Sequence, residues 1–581
     1  MNFSKMNFSN KKYATRFMPL LLTLVVLLLS SCDLIGNNTP GIPAKPVKAP
    51  AKDQVFVNPI LGASDITTFD PALAYDTSSI SAIQMIYTGL VQLDDKFQIH
   101  PQLAQSWQQS SDGLTWTFHL KPKLKFSDGT PLTSADVIYS IDRALQPATK
   151  STVAPIYLDL IRDSDKLLAG RIQSLINDSL MAPDPNTVVI QTKKRAAYFL
   201  SMLTHTCSYV VEKSLIATYE ANFTDHLNLG GGAGPFKVMQ YVHGKEIDFV
   251  PNPNYYNALP QLQRVVFAFY PQAEAAYQAY QNGKVDMTGV PIANFDNDKM
   301  RPDFHQIPQL WINYYTMNYL VKPFNSINIR EAFALAIDKT AIASNVWQGT
   351  VIPTNHIVPS NMPGYNPVLT GPDGTQSLKG NPDKAKALLQ QGLHDEGWSS
   401  ISQVPPIKLT YATGVSNFDQ EVKSMIGMWK SVLGITVKAH PVDYNSLLDQ
   451  VTAATNNPQG IAFWGLAWVA EYPDPQDWLT RQFDKGVPNN SMNYGQNSSK
   501  NAPQQQSIQT QLEKADSIFQ SDQRMQIYQK AEQQLVNDVA WIPMEQVTNV
   551  YLLKPYVIGM AENQQSLIPP DNWANIYIVQ H

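Results

Sequence analysis

The chain has 581 residues, 44% apolar and 16% charged, which excludes a wholly disordered protein. It is too long for a single core, so two or three lobes are expected. The net charge is −5 and no basic block follows the first 20 residues, which argues against nucleic-acid binding.

In chain order, Lys5, Lys11, Lys12 and Arg16 precede an apolar run at 20–29. That run is shorter than the ~20 residues of a membrane-spanning helix and suits a secretory signal. It ends in Leu29-Ser30-Ser31-Cys32, which resembles the lipobox of bacterial lipoproteins. The resemblance implies a signal peptide at 1–31, cleaved before a lipidated Cys32. Residues 32–54, rich in Pro, Ala, Lys and Gly, read as a flexible linker to the membrane, with the fold opening near Val55. Cys207 is the other cysteine, and a buried, inert thiol is its default role.

Ile83, Ile86, Tyr87 and Leu90 fall at helical spacing. Trp116, Phe118 and Leu120 alternate with polar residues, as in a half-buried strand. Thr133 caps a helix, with Asp136 three residues on and Val137, Ile138, Ile141 and Leu145 as its buried stripe. The run Gly230-Gly231-Gly232-Ala233-Gly234 lacks the G-K-[ST] of a phosphate loop and leads into a strand, so nucleotide binding is rejected. Asn381-Pro382 opens a helix that Gly392 is expected to stop.

The stretch 461–483 has the clearest chemical content. Residues 461–468 form a short apolar run, read as a buried strand. Glu471 follows where the strand ends, and Pro473 and Pro475 forbid its extension. Asp474 caps a new helix, and Asp477 stands in a capping-box position. A single Glu after a strand is usually just solvated, and these residues alone favour that reading; the alternative is that the carboxylate, near Trp464, Trp468 and Tyr472, holds a cation in an aromatic-walled cleft.

Residues 103–137, L-A-Q-S-W-Q-Q-S-S-D-G-L-T-W-T-F-H-L-K-P-K-L-K-F-S-D-G-T-P-L-T-S-A-D-V, resemble the signature of the family 5 extracellular solute-binding proteins. These are the oligopeptide- and dipeptide-binding proteins of ABC importers. Gly234-Pro235-Phe236, the N-P-x-Y-Y element at 252–256 and the blocks at 313–318, 323–325 and 330–338 resemble the same family.

The resemblance implies an α/β, two-lobed periplasmic-binding-protein-like fold of cluster C type, with a hinge and an extra domain on the first lobe. Lobe I would take 55–92, 187–308 and 540–581. The extra domain would take 93–186, and lobe II 309–539. It also implies an extended peptide ligand paired with two backbone segments, one at Tyr75, Asp76 and Thr77 up to Ser79, the other at Ala467, Trp468 and Val469. Trp468-Val469-Ala470-Glu471 is similar to the family's W-x-x-D unit, with Glu471 in the place of the Asp that meets the peptide ammonium. Positions aligned with basic groups for the peptide carboxylate read Ala334, Asn417 and Gly465. Asn417 is kept as a candidate contact, beside a loop-capping role. Trp464, Trp468 and Tyr472 would line side-chain pockets or stack on sugars, with structural core the commoner role for any one of them.

The function implied is a monomeric binding lipoprotein that captures peptides outside the membrane and delivers them to the transmembrane subunits of an ABC permease. No cofactor, metal or catalytic residue is expected. The alternative is the same fold binding an oligosaccharide or another small solute. Nickel is disfavoured because the ten His show no H-x-x-x-H spacing. A surface-tethered hydrolase is a further alternative, but no H-E-x-x-H or G-x-S-x-G occurs.

Overall fold

A computed structural model describes residues 47–414 and 417–581. The expected signal peptide and the lipidation site at Cys32 lie outside the described residues. None of the described helices is long and apolar enough to cross a membrane.

Three sheets carry the architecture. The first joins Val55–Leu61, Arg264–Tyr270, Glu246–Pro251 and Phe236–Val242, and its first pair is parallel. An antiparallel sheet of Ala104–Gln109, Thr115–Leu120, Thr187–Gln191 and Leu180–Asp184 makes the inserted domain. The largest, mixed sheet runs in the order Met287–Gly289, Ile542–Leu553, Phe304–Met317, Phe463–Val469, Ile407–Ala412 and Val437–Val442. Two of its strands, Phe304–Met317 and Ile542–Leu553, are unusually long and lie side by side. The lobe border expected at 308/309 therefore falls inside a strand. The border at 186/187 likewise cuts the hairpin of the inserted sheet, which continues to Gln191 because Thr187–Gln191 pairs with Thr115–Leu120.

Local signals explain the elements. The strand Thr115–Leu120 buries Trp116, Phe118 and Leu120. The helix Ser134–Leu145 opens with a capping box between Thr133 and Asp136 and buries the whole expected stripe. Gly392 does not stop its helix, which runs on as Pro382–Asp395. A Cβ there would stand 2.5 Å from Ile329 Cγ1, so the glycine permits close packing of helix on helix. The glycine run at 230–234 has a similar reason: a Cβ on Gly232 or Gly234 would collide with the Ile86 backbone. Cys207 is buried, and burial pushes its thiol pKa up.

The fold begins earlier than Val55. The Ala49 N–H donates to the Ile578 carbonyl at 2.9 Å, and the buried Gln54 amide donates to the carbonyls of Ala49 and Ile578. The end of the expected linker is thus tied to the C-terminal strand.

Candidate ligand cleft

Between the helix Thr77–Ile86, the inserted domain and the large sheet lies a cleft of about 860 Å³. Its walls include Tyr75, Thr77, Tyr157, Trp311, Val469 and Glu471. Among the described lining residues only Glu471 carries a formal charge. His205 also lines it and is neutral, its pKa pushed down to about 3 by burial. Its Nδ1 accepts the Cys207 N–H at 3.2 Å, and its ring stacks 3.7 Å from that of Tyr157.

Glu471 follows the strand Phe463–Val469, where the chain turns at Pro473. Its backbone N–H donates to Asp477 Oδ2 at 3.0 Å, and the Trp468 indole N–H donates to the same oxygen at 3.0 Å. Asp477 is therefore not a helix-capping residue, as its spacing suggested, but a buried bracket under the strand end. Burial pushes its pKa up to about 8; Arg481, 3.7 Å away, opposes that shift and Glu471 adds to it. Asp474 does cap the helix Pro475–Trp478, accepting the Gln476 N–H at 2.9 Å, and also holds Arg524 through two bonds of 2.6 and 2.7 Å. The loop after Glu471 is thus fixed from beneath. The carboxylate itself accepts a hydrogen bond from the Tyr157 hydroxyl and has no cation within 4.0 Å among the described residues.

The strand edge next to Glu471 is open on one side. Phe463–Val469 pairs along its length with Phe304–Met317, whereas Ile407–Ala412 meets it at one pair, Thr410 against Trp464. Ala467, Trp468 and Val469 keep an edge free of a described strand, and Val469 is half exposed to the cleft.

The other expected contacts separate into two groups. Tyr75 and Thr77 line the cleft. Asp76 does not: its carboxylate caps the helix Thr77–Ile86 by accepting the Ser79 N–H at 2.9 Å. Residues 77–79 are already helical, so the first segment cannot offer an extended edge over its whole length. Trp464 is 1% exposed and lies in the lobe core, not in a pocket wall. Tyr472 is also buried, its ring parallel to Tyr198 at 6.0 Å. Trp468 lies beneath the strand end, bound to Asp477. Asn417 precedes the helix Phe418–Leu433 with φ of 66° and is not among the described residues of the cleft wall. At Gly465 a Cβ would stand 2.5 Å from the Tyr315 ring, which excludes a basic side chain there.

Sequence reasoning missed Tyr157, His205 and Trp311. Tyr157 meets Glu471 across 314 positions, and no local pattern marks such a pair. Trp311 carried a usable signal, as an aromatic two residues before Asn313 in a block already singled out.

The family described as "Bacterial extracellular solute-binding proteins, family 5 Middle" matches residues 98–490, more than half of the chain. The periplasmic oligopeptide-binding protein OppA of Escherichia coli is 28% identical over 530 residues, covering 89% of this chain and 92% of the relative. The dipeptide-binding protein DppE of Bacillus subtilis is 25% identical over 524 residues, with 89% and 91% covered. Among solved structures, the unliganded open form of the murein tripeptide-binding protein MppA superposes with a TM-score of 0.78 at 26% identity, covering 93% of this chain and 99% of that one. The two-lobed fold, the cleft between its parts and the matched segment agree: the chain belongs to the family 5 bacterial extracellular solute-binding proteins, which bind solutes for transport and are not enzymes.

Proposed function

We propose that this protein captures peptides in its cleft by their free amino end and hands them to the transmembrane subunits of an ABC permease. The observation that carries this reading is Glu471, the one formal charge among the described cleft residues, placed beside an open strand edge. An ammonium group meets a carboxylate there through a charge-assisted hydrogen bond, and the peptide backbone extends the sheet at 467–469. Every peptide offers the same N–H and C=O groups, so such pairing tolerates many side chains. The cleft wall holds no described basic side chain for a carboxylate. Peptides long enough to carry their carboxyl end out of the cleft therefore fit it best.

In this reading the long paired strands Phe304–Met317 and Ile542–Leu553 belong to the hinge about which the lobes close on the ligand. The protein works as a monomer outside the cytoplasmic membrane, held there by acyl chains on Cys32. The names of OppA and DppE support the ligand class.

The test compares binding of a free-amino peptide and its N-acetylated form to the wild type and to Glu471→Gln. The substitution weakens the free-amino peptide by about tenfold or more and leaves the acetylated form nearly unchanged. Equal losses for both would remove Glu471 from the role. Mass spectrometry of small molecules released on denaturation would separate peptide from oligosaccharide.

A further inference from the structure

His205 stands in the cleft wall with its residue part exposed. Its Nδ1 accepts the Cys207 N–H at 3.2 Å, so Nδ1 keeps its lone pair. Burial keeps the ring neutral, and the ring hydrogen therefore sits on Nε2. No described residue accepts from Nε2, and that nitrogen is not sealed from solvent. The wall thus presents to the cleft an N–H donor whose tautomer is fixed from behind. Lobes that close on a ligand strip water from such a donor, which then needs an acceptor on the ligand.

Its neighbours say which acceptor it would meet. The imidazole stacks at 3.7 Å on the Tyr157 ring, within 10° of parallel, and the Tyr157 hydroxyl holds Glu471. The donor is therefore one ring away from the group that positions the carboxylate. The two cleft groups have opposite polarity: Glu471 accepts and His205 Nε2 donates. A peptide ammonium has no lone pair to offer a donor, whereas the carbonyl of the same residue does. Glu471 and His205 together match the ammonium and the carbonyl of a first residue, and so fix which way the chain runs.

We propose that His205 is a ligand-binding residue whose Nε2–H donates to the carbonyl oxygen of the peptide's first residue. The Cys207 N–H sets its tautomer and the Tyr157 ring sets the plane of the imidazole. The pairing reads backbone rather than side chain. The proposal rests on the peptide reading given above and deepens it, by naming the partner of the group next to the ammonium.

The test uses tetra-alanine and two analogues, one with a thioamide at the first amide and one at the last, because sulfur is the poorer acceptor. Each is titrated into the wild type and into His205→Phe, which keeps a ring on Tyr157 but has no donor. The affinity lost to the first thioamide should be about fivefold greater in the wild type than in the variant, and the loss to the last one equal in both. A merely structural role would weaken all three ligands by the same factor. Heteronuclear NMR of histidine-labelled wild type at about pH 7 should show one His205 tautomer, with its hydrogen on Nε2, and that proton should shift when tetra-alanine is added. This second measurement decides the matter if His205→Phe does not fold. Equal losses to the first thioamide in both proteins, the other tautomer, or an unmoved Nε2 proton would overturn the proposal. If tetra-alanine binds with the Glu471→Gln effect but without dependence on His205, only this inference fails. If tetra-alanine does not bind the wild type, the peptide reading fails and this inference with it.

Discussion

The Tyr157 hydroxyl donates a hydrogen bond to Glu471 Oε2, joining the inserted domain to the end of a strand in the large sheet. Burial and the adjacent carboxylate both push the Tyr157 pKa up, so the hydroxyl keeps its proton and remains a donor. One carboxylate oxygen is thereby held in place, and the proposed ligand would meet the other. Tyr157→Phe should lower affinity for free-amino peptides by about two- to tenfold through lost preorganisation, and spare N-acetylated ones. Calorimetric titration of both peptide forms checks this; an unchanged free-amino affinity would show that the tyrosine does not position Glu471.

Asp477 should give the protein a dependence on pH. Its folded pKa is raised to about 8 by burial, against a reference of 3.8. Between those values the folded state keeps a proton that the unfolded state releases, so the contribution of this group to stability is fully present below about pH 4 and is lost as pH rises towards 8. One such group contributes up to about 1.4 kcal/mol per pH unit. Asp516, raised to about 7, and Glu532, raised to about 8, act in the same direction. Asp477→Asn keeps an acceptor for Trp468 and the Glu471 N–H and removes one proton from the slope. Urea unfolding at pH 5 and pH 8 should show the variant near wild type at the lower pH and more stable at the higher. Parallel curves would show that Asp477 is ionised throughout.

The Asp474–Arg524 pair, with side chains less than a tenth exposed, anchors the loop that carries Glu471. Asp474→Ala leaves a buried guanidinium without its partner and should cost about 3–5 kcal/mol. Adding Arg524→Met should recover much of that loss, since the stranded charge is removed. A double variant as unstable as the sum of the two single ones would contradict the pairing.

Trp464 distinguishes core from cleft. Trp464→Ala empties a fully buried site and should cost about 3–5 kcal/mol in chemical denaturation. Peptide affinity of the folded protein should stay within about twofold, because the indole does not face the cleft. A large affinity loss with little destabilisation would return Trp464 to the binding surface.

Much of the local structure was legible in the chain. The helix Ser134–Leu145, the strand Thr115–Leu120 and the strand before Glu471 all announce themselves through caps and hydrophobic period, which act over a few residues. The same rules misplaced what depends on distant neighbours. Asp477 has the spacing of a cap, yet its carboxylate turns back to Trp468 and Glu471. Gly392 has the look of a helix stop, yet it serves a crossing with Ile329.

By itself the sequence determined the family, the mixed α/β fold and an acidic side chain at a strand end, because motif residues and periodicity are properties of neighbouring positions. Tertiary structure alone decided which of those residues face the cleft. Trp464 and Tyr472 went into cores, Asp76 into a helix cap, and Tyr157, Trp311 and His205 were brought in from far along the chain. Burial and long-range pairing are settled when sheets and helices pack, and a single chain of letters does not record that geometry.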